Sequence, residues 1–153
     1  MKRKLVAVGL AACVGAGFVL DAAAQAKPEV LVKQRQAAMT LQGKYFGPMA
    51  GMAQGRVPFN ADVVKRNSGF LDNLSRMAWD GFDANTKGEK SAALPAVFEQ
   101  PDKFKEATSR LENESNKLYV MASKGGDEAA IKAQIGAVGK TCGGCHENFR
   151  QKQ

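Results

Sequence analysis

Cys142-Gly143-Gly144-Cys145-His146, close to the C-terminus, is the stretch around which the rest of the chain is organised. C-x-x-C-H is the attachment signature of a c-type haem. Each thiol adds across one vinyl group of the macrocycle, giving two thioethers, and the adjacent imidazole then becomes the proximal ligand of the iron. On a helix Cys142 and Cys145 share a face, and His146 lies four residues from Cys142. The two glycines leave the backbone bare where a flat macrocycle must approach. A structural zinc site would need four ligands, and His146 is the only histidine of the chain. A thioredoxin-like dithiol would need a strand-turn-helix setting, which the flanking sequence lacks.

The N-terminus agrees with haem attachment outside the cytoplasm. Met1, Lys2, Arg3 and Lys4 precede an apolar run from Leu5 to Leu20, and Ala24-Gln25-Ala26 follows. A positive start, an apolar middle and a small-residue exit read as a secretory signal peptide over residues 1–26, cleaved after Ala26 or Ala24. The apolar run is short for a membrane-spanning helix, so no stable membrane anchor is expected. Leu10-Ala11-Ala12-Cys13 resembles a lipobox, but the apolar region continues past the cysteine. Cleavage removes Lys2, Arg3, Lys4 and Asp21, lowering the net charge from +7 to +5, and it removes Cys13. The two remaining cysteines belong to the haem motif, which leaves no thiol for a disulfide. Residues 27–153 are enough for one domain with a sizeable core.

Four helical patterns follow. Val32, Met39 and Phe46 recur at sevens beside a row of Leu31, Ala38 and Tyr45, predicting a helix from Pro28 to about Gly47-Pro48. Residues 49–58 read as a loop. Asn60 caps a second helix with Val63, Val64, Phe70, Leu71, Leu74 and Met77 on its apolar face. Residues 78–100, with Trp79 and Phe82, read as a long irregular connection that covers something. A third helix runs from Pro101 to Lys124-Gly125-Gly126, with Phe104, Leu111, Leu118 and Met121 as core. Asp127 caps a fourth, whose inner face carries Ile131, Ile135, Val138, Cys142, Cys145 and Phe149. No strand pattern is evident. The predicted fold is all-α: an antiparallel up-down-up-down four-helix bundle with covalently bound haem.

In such a bundle the end of the fourth helix lies level with the start of the first. Met121, near the far turn, then lies ~20 Å or more from His146 along the bundle. Met49 and Met52 also belong to that far end. Met39 and Met77 remain as methionines at the level of His146, and a methionine ligand would make a low-spin electron-transfer haem. Core filling is the alternative role for either one.

Over the whole of residues 27–153 the chain resembles class II cytochromes c, the cytochrome c′ family. The features that carry the resemblance are Lys27-Pro28-Glu29, Arg35 and Gln36 before Met39, Pro58-Phe59, Trp79 and Phe82, and the ending Cys145-His146-Glu147-Asn148-Phe149-Arg150. The late position of the motif and the basic Arg150 four residues after the histidine are the most specific. The resemblance implies a distal residue at Met39, as in the low-spin branch of the family, where a methionine ligates. High-spin members have a bulky non-ligating group there. It also implies Arg35 near a haem propionate, and Trp79 and Phe82 packed about the haem.

The function expected from the sequence is a periplasmic carrier of single electrons, with haem c bound through Cys142 and Cys145 and iron between His146 and Met39. The alternative is a five-coordinate cytochrome c′ that binds nitric oxide or carbon monoxide. No acid-base or nucleophile constellation suggests an enzyme. The basic balance points to an acidic redox partner protein, and no nucleic-acid recognition motif is present. A homodimer through the first two helices is an expectation that only the resemblance carries.

Overall fold

Pro28 opens the first helix, where its missing N–H costs nothing, and the amides of Val30 and Leu31 turn back onto the Lys27 carbonyl. The computed structural model describes residues 26–152. All of the proposed signal peptide except Ala26 lies outside the described residues. Four long helices make the bundle: α1 (Pro28–Ala53), α2 (Ala61–Met77), α3 (Pro101–Ser123) and α4 (Glu128–Phe149). Asn60 caps α2 by accepting from the Val63 amide at 3.0 Å, and Asp127 caps α4 by accepting from the Ala130 amide at 2.9 Å. Gly55 and Gly125 hold φ of 70° and 68°, the left-handed conformation that ends α1 and α3.

The sequence placed the end of α1 at Gly47-Pro48; the helix instead runs through Pro48 to Ala53. Proline forfeits one helical hydrogen bond. Beyond it, however, Met49, Gly51 and Met52 are buried, and that burial carries the helix on. The loop is correspondingly shorter than residues 49–58. On α2, Val64 and Leu71 are buried, but Phe70 and Met77 are exposed and so leave the predicted core. The connection between α2 and α3 is ordered. It holds 3-10 turns at Trp79–Phe82 and Ala84–Thr86 and a short helix at Ala96–Glu99. Its middle is tied to the end of α4: the Leu94 amide donates to the Phe149 carbonyl at 3.0 Å, and the Gln151 amide donates to the Ala92 carbonyl at 2.8 Å.

The helices pack in the cyclic order α1, α2, α3, α4, and the α1–α4 seam is the sparsest of the four. One core cluster, with Met49, Leu71, Leu118, Ile135 and Val138, fills the middle and the far end. A second, with Val97, Ala107 and Phe149, closes the near end against Phe82, Phe104 and Cys145. Two glutamines buried at the seams are satisfied across them. Gln42 donates to the Leu74 carbonyl at 3.0 Å, and Gln134 donates to the Glu114 carbonyl at 3.1 Å. Among the described residues, no helix is long and apolar enough to cross a membrane.

Candidate haem site

The antiparallel pairing of α1 with α4 sets the site. Phe46 on α1 lies against Gly139 on α4, where an added Cβ would come within 3.3 Å of its ring. Two turns toward the near end, Met39 and His146 line one cavity of about 520 Å³, a size suited to a bound small molecule or cofactor. Cys145, Arg35, Phe82 and Arg150 line it as well. The structure thus brings six of the residues singled out from the sequence to one place. Met39 is half-buried in the wall. Met77, the other methionine left at this level, points into solvent with 64% of its surface exposed, which removes it as a ligand candidate. Cys142 is not part of the lining but packs, half-buried, on the main core. Trp79 stands behind the wall, its ring centroid 6.2 Å from that of Phe82 and 6.0 Å from that of Phe104.

Arg35 is the least expected feature. It is 97% buried by exposed area (3% exposed), yet no carboxylate pairs with it among the described residues. Its guanidinium donates to the Gly81 carbonyl at 2.7 Å, the Thr86 hydroxyl at 2.9 Å and the Ser91 hydroxyl at 2.9 Å, and it stacks over Phe82 at 4.4 Å. Burial lowers its pKa, but a guanidinium keeps its proton. The α2–α3 connection therefore wraps a buried cation.

Burial raises the pKa of the Cys142 thiol, and burial followed by the neighbouring Cys142 raises that of Cys145. Both thus remain thiols at neutral pH. His146 lies at the cavity mouth, and its packed flank, then the charge of Arg150, hold the imidazole below the usual histidine range. A neutral imidazole has a nitrogen lone pair free for a metal. Phe104, Ser91, Ala92 and Ala93 also line the cavity and were not foreseen as site residues. Phe104 carried only a core signal in the sequence, and Ser91 to Ala93 arrive through the long connection, where no periodicity marks them.

These residues fit a covalently bound haem. One thiol and a neutral imidazole line a cavity with apolar and aromatic walls, the second thiol lies one turn earlier on α4, and a buried guanidinium offers a counter-charge for an acidic substituent. The comparisons with known proteins point the same way. The cytochrome C' family model matches residues 30–150. Cytochrome c' of Rubrivivax gelatinosus is 39% identical over 127 residues, covering 82% of this chain and 98% of the relative. The structure of cytochrome c prime from Shewanella frigidimarina superposes with a TM-score of 0.78 at 29% identity, covering 82% of this chain and 97% of that one. A nitric oxide complex of a cytochrome c prime variant from Alcaligenes xylosoxidans gives a TM-score of 0.76 at 34% identity, covering 84% and 98%. A C-x-x-C-H motif at the end of the last helix of a four-helix bundle, matched along nearly its whole length by such relatives, places the chain in the cytochrome c′ family, the class II cytochromes c, whose members bind haem c covalently.

Proposed function

We propose that this is a periplasmic haem protein that binds a diatomic gas, nitric oxide or carbon monoxide, at an open position beside Met39. The bound haem would supply an iron with one protein ligand and one coordination position free for the gas. Cys142 and Cys145 would hold the group by thioethers, and His146 would ligate its iron.

The observation that carries this reading is the apolar character of the wall around Met39. Two polar groups near it on α1 are engaged elsewhere, while the side chain of Gln36, which also lines the cavity, has no partner among the described residues. Thr40 donates its hydroxyl hydrogen to the Gln36 carbonyl at 2.9 Å, and the guanidinium of Arg35 is turned onto Gly81, Thr86 and Ser91. Distal polarity and hydrogen-bond donors decide which gas a haem holds. A largely apolar wall suits carbon monoxide and nitric oxide, which need no hydrogen bond, better than oxygen. Met39 acts here as an apolar wall that limits the size of the ligand. The nitric oxide complex reported for the Alcaligenes relative supports this reading by likeness.

A second reading has its own observation. The thioether of Met39 shares a cavity with His146, so ligation by Met39 would make the protein a low-spin electron carrier. The absorption spectrum of the purified protein decides between the two. Broad high-spin bands in both oxidation states are expected. A narrow, split α/β pair in the ferrous state, with a sulfur-to-iron band near the red edge in the ferric state, would assign the carrier role instead.

A further inference from the structure

We propose that the α1–α4 seam is the docking surface for an acidic redox protein, which seats an apolar side chain in a groove beside the haem-bearing stretch and sets its carboxylates against Lys140 and Lys132. The inference rests on covalent haem at Cys142 and Cys145, and it is independent of whether the iron also binds a gas. The exchange is of one electron between the iron and the partner's own redox centre, with no bond made or broken.

The groove, of about 500 Å³, lies farther along the same seam as the haem cavity. Phe46, Ala50, Ile135 and Gly139 form its apolar surface, and Lys132 and Lys140 line it as well. Gly139 of the groove lies one helical turn before Cys142 on α4, so the groove adjoins the first thioether position. The surface around it is bare. Gly43 and Gly47 on α1, and Gly136, Gly143 and Gly144 on α4, all have open space where a side chain would begin. A partner can therefore approach the backbone that carries the haem, and one-electron transfer falls steeply with distance.

Charge names the partner. Lys140 has no carboxylate partner among the described residues. Lys132 pairs with Glu128, a surface pair that an incoming carboxylate can join at little cost. With a net charge of +5 on residues 27–153, long-range attraction favours an acidic surface.

Naphthalene-2-sulfonate, an aromatic anion, is a suitable probe for NMR titration of the ¹⁵N-labelled holoprotein. The amide shifts should concentrate at Ala50, Ile135, Gly139 and Lys140. Lys140→Glu should weaken binding about threefold or more at low salt, while Lys117→Glu, the same charge change on the exposed face of α3, should not. Oxidation of the ferrous protein by hexacyanoferrate(III) should slow in the same order, with midpoint potentials measured in parallel to separate driving force from docking. Shifts centred elsewhere, or equal effects of the two substitutions, would overturn the assignment. Haem that is not covalently attached would instead refute the reading on which it rests, and intact mass reports that separately.

Discussion

Exchanging Met39 for leucine removes one sulfur and keeps an apolar side chain of similar volume, at a stability cost below about 1.5 kcal/mol. If Met39 is a wall and not a ligand, Met39→Leu should leave the ferric and ferrous spectra high-spin, and carbon monoxide should still bind. A change from low-spin to high-spin on substitution would identify Met39 as the ligand. Arg35→Met should lower the unfolding free energy of the holoprotein by about 2–4 kcal/mol in urea titration, because hydrogen bonds from a charged donor to buried acceptors are lost together. A loss below about 0.5 kcal/mol would mean that the α2–α3 connection is held without it. The haem motif was legible in the sequence because its chemistry is local, confined to five consecutive residues. The partners of Arg35 were not, since Gly81, Thr86 and Ser91 lie 46, 51 and 56 positions away and are neutral, with no charge pattern to pair them. Met77 kept a helical apolar spacing and still faces solvent, because spacing alone does not say how wide the buried stripe is.

The helices followed from periodicity and caps, and α3 and α4 appear where Pro101, Gly125 and Asp127 placed them. The end of α1 was misplaced because proline is a local signal, whereas the burial of Met49 and Met52 is a tertiary one. The connection of residues 78–100 owes its order to contacts made far along the chain: Arg35 on one side and the end of α4 on the other. Gly81 is where it passes closest to α1. A Cβ there would stand 2.7 Å from the Arg35 Cβ and 2.8 Å from the Leu31 carbonyl oxygen, so the connection or the helix must shift. Gly81→Ala should therefore cost about 1–3 kcal/mol in denaturant titration. Gly88→Ala in the same connection meets no atom within 4 Å and should stay within about 0.5 kcal/mol of the parent. Equal effects at both positions would mean that the passage at Gly81 is not a tight one.

The molecule as a whole is a bundle with one seam left thin. The haem cavity and the groove beside Phe46 both lie along α1 and α4, where small residues replace the packing that closes the other three seams. Residues 27–153 hold no disulfide-forming pair outside the motif, so no other covalent cross-link braces the near end. Cys142→Ser combined with Cys145→Ser should give a chain with helical far-ultraviolet dichroism but no cooperative unfolding transition. A sharp, cooperative transition in that variant would mean that the helices close the bundle without the haem. Fold class and attachment site could thus be read from the chain, while the state of the distal position depends on how half-buried Met39 sits, which no spacing encodes. The most direct test of the gas-binding account is a carbon monoxide titration of the ferrous protein followed by absorption. A broad high-spin starting spectrum should convert saturably, at one gas molecule per haem, to a narrow low-spin one. A ferrous spectrum that is already narrow and split, and that does not change at saturating carbon monoxide, would contradict it.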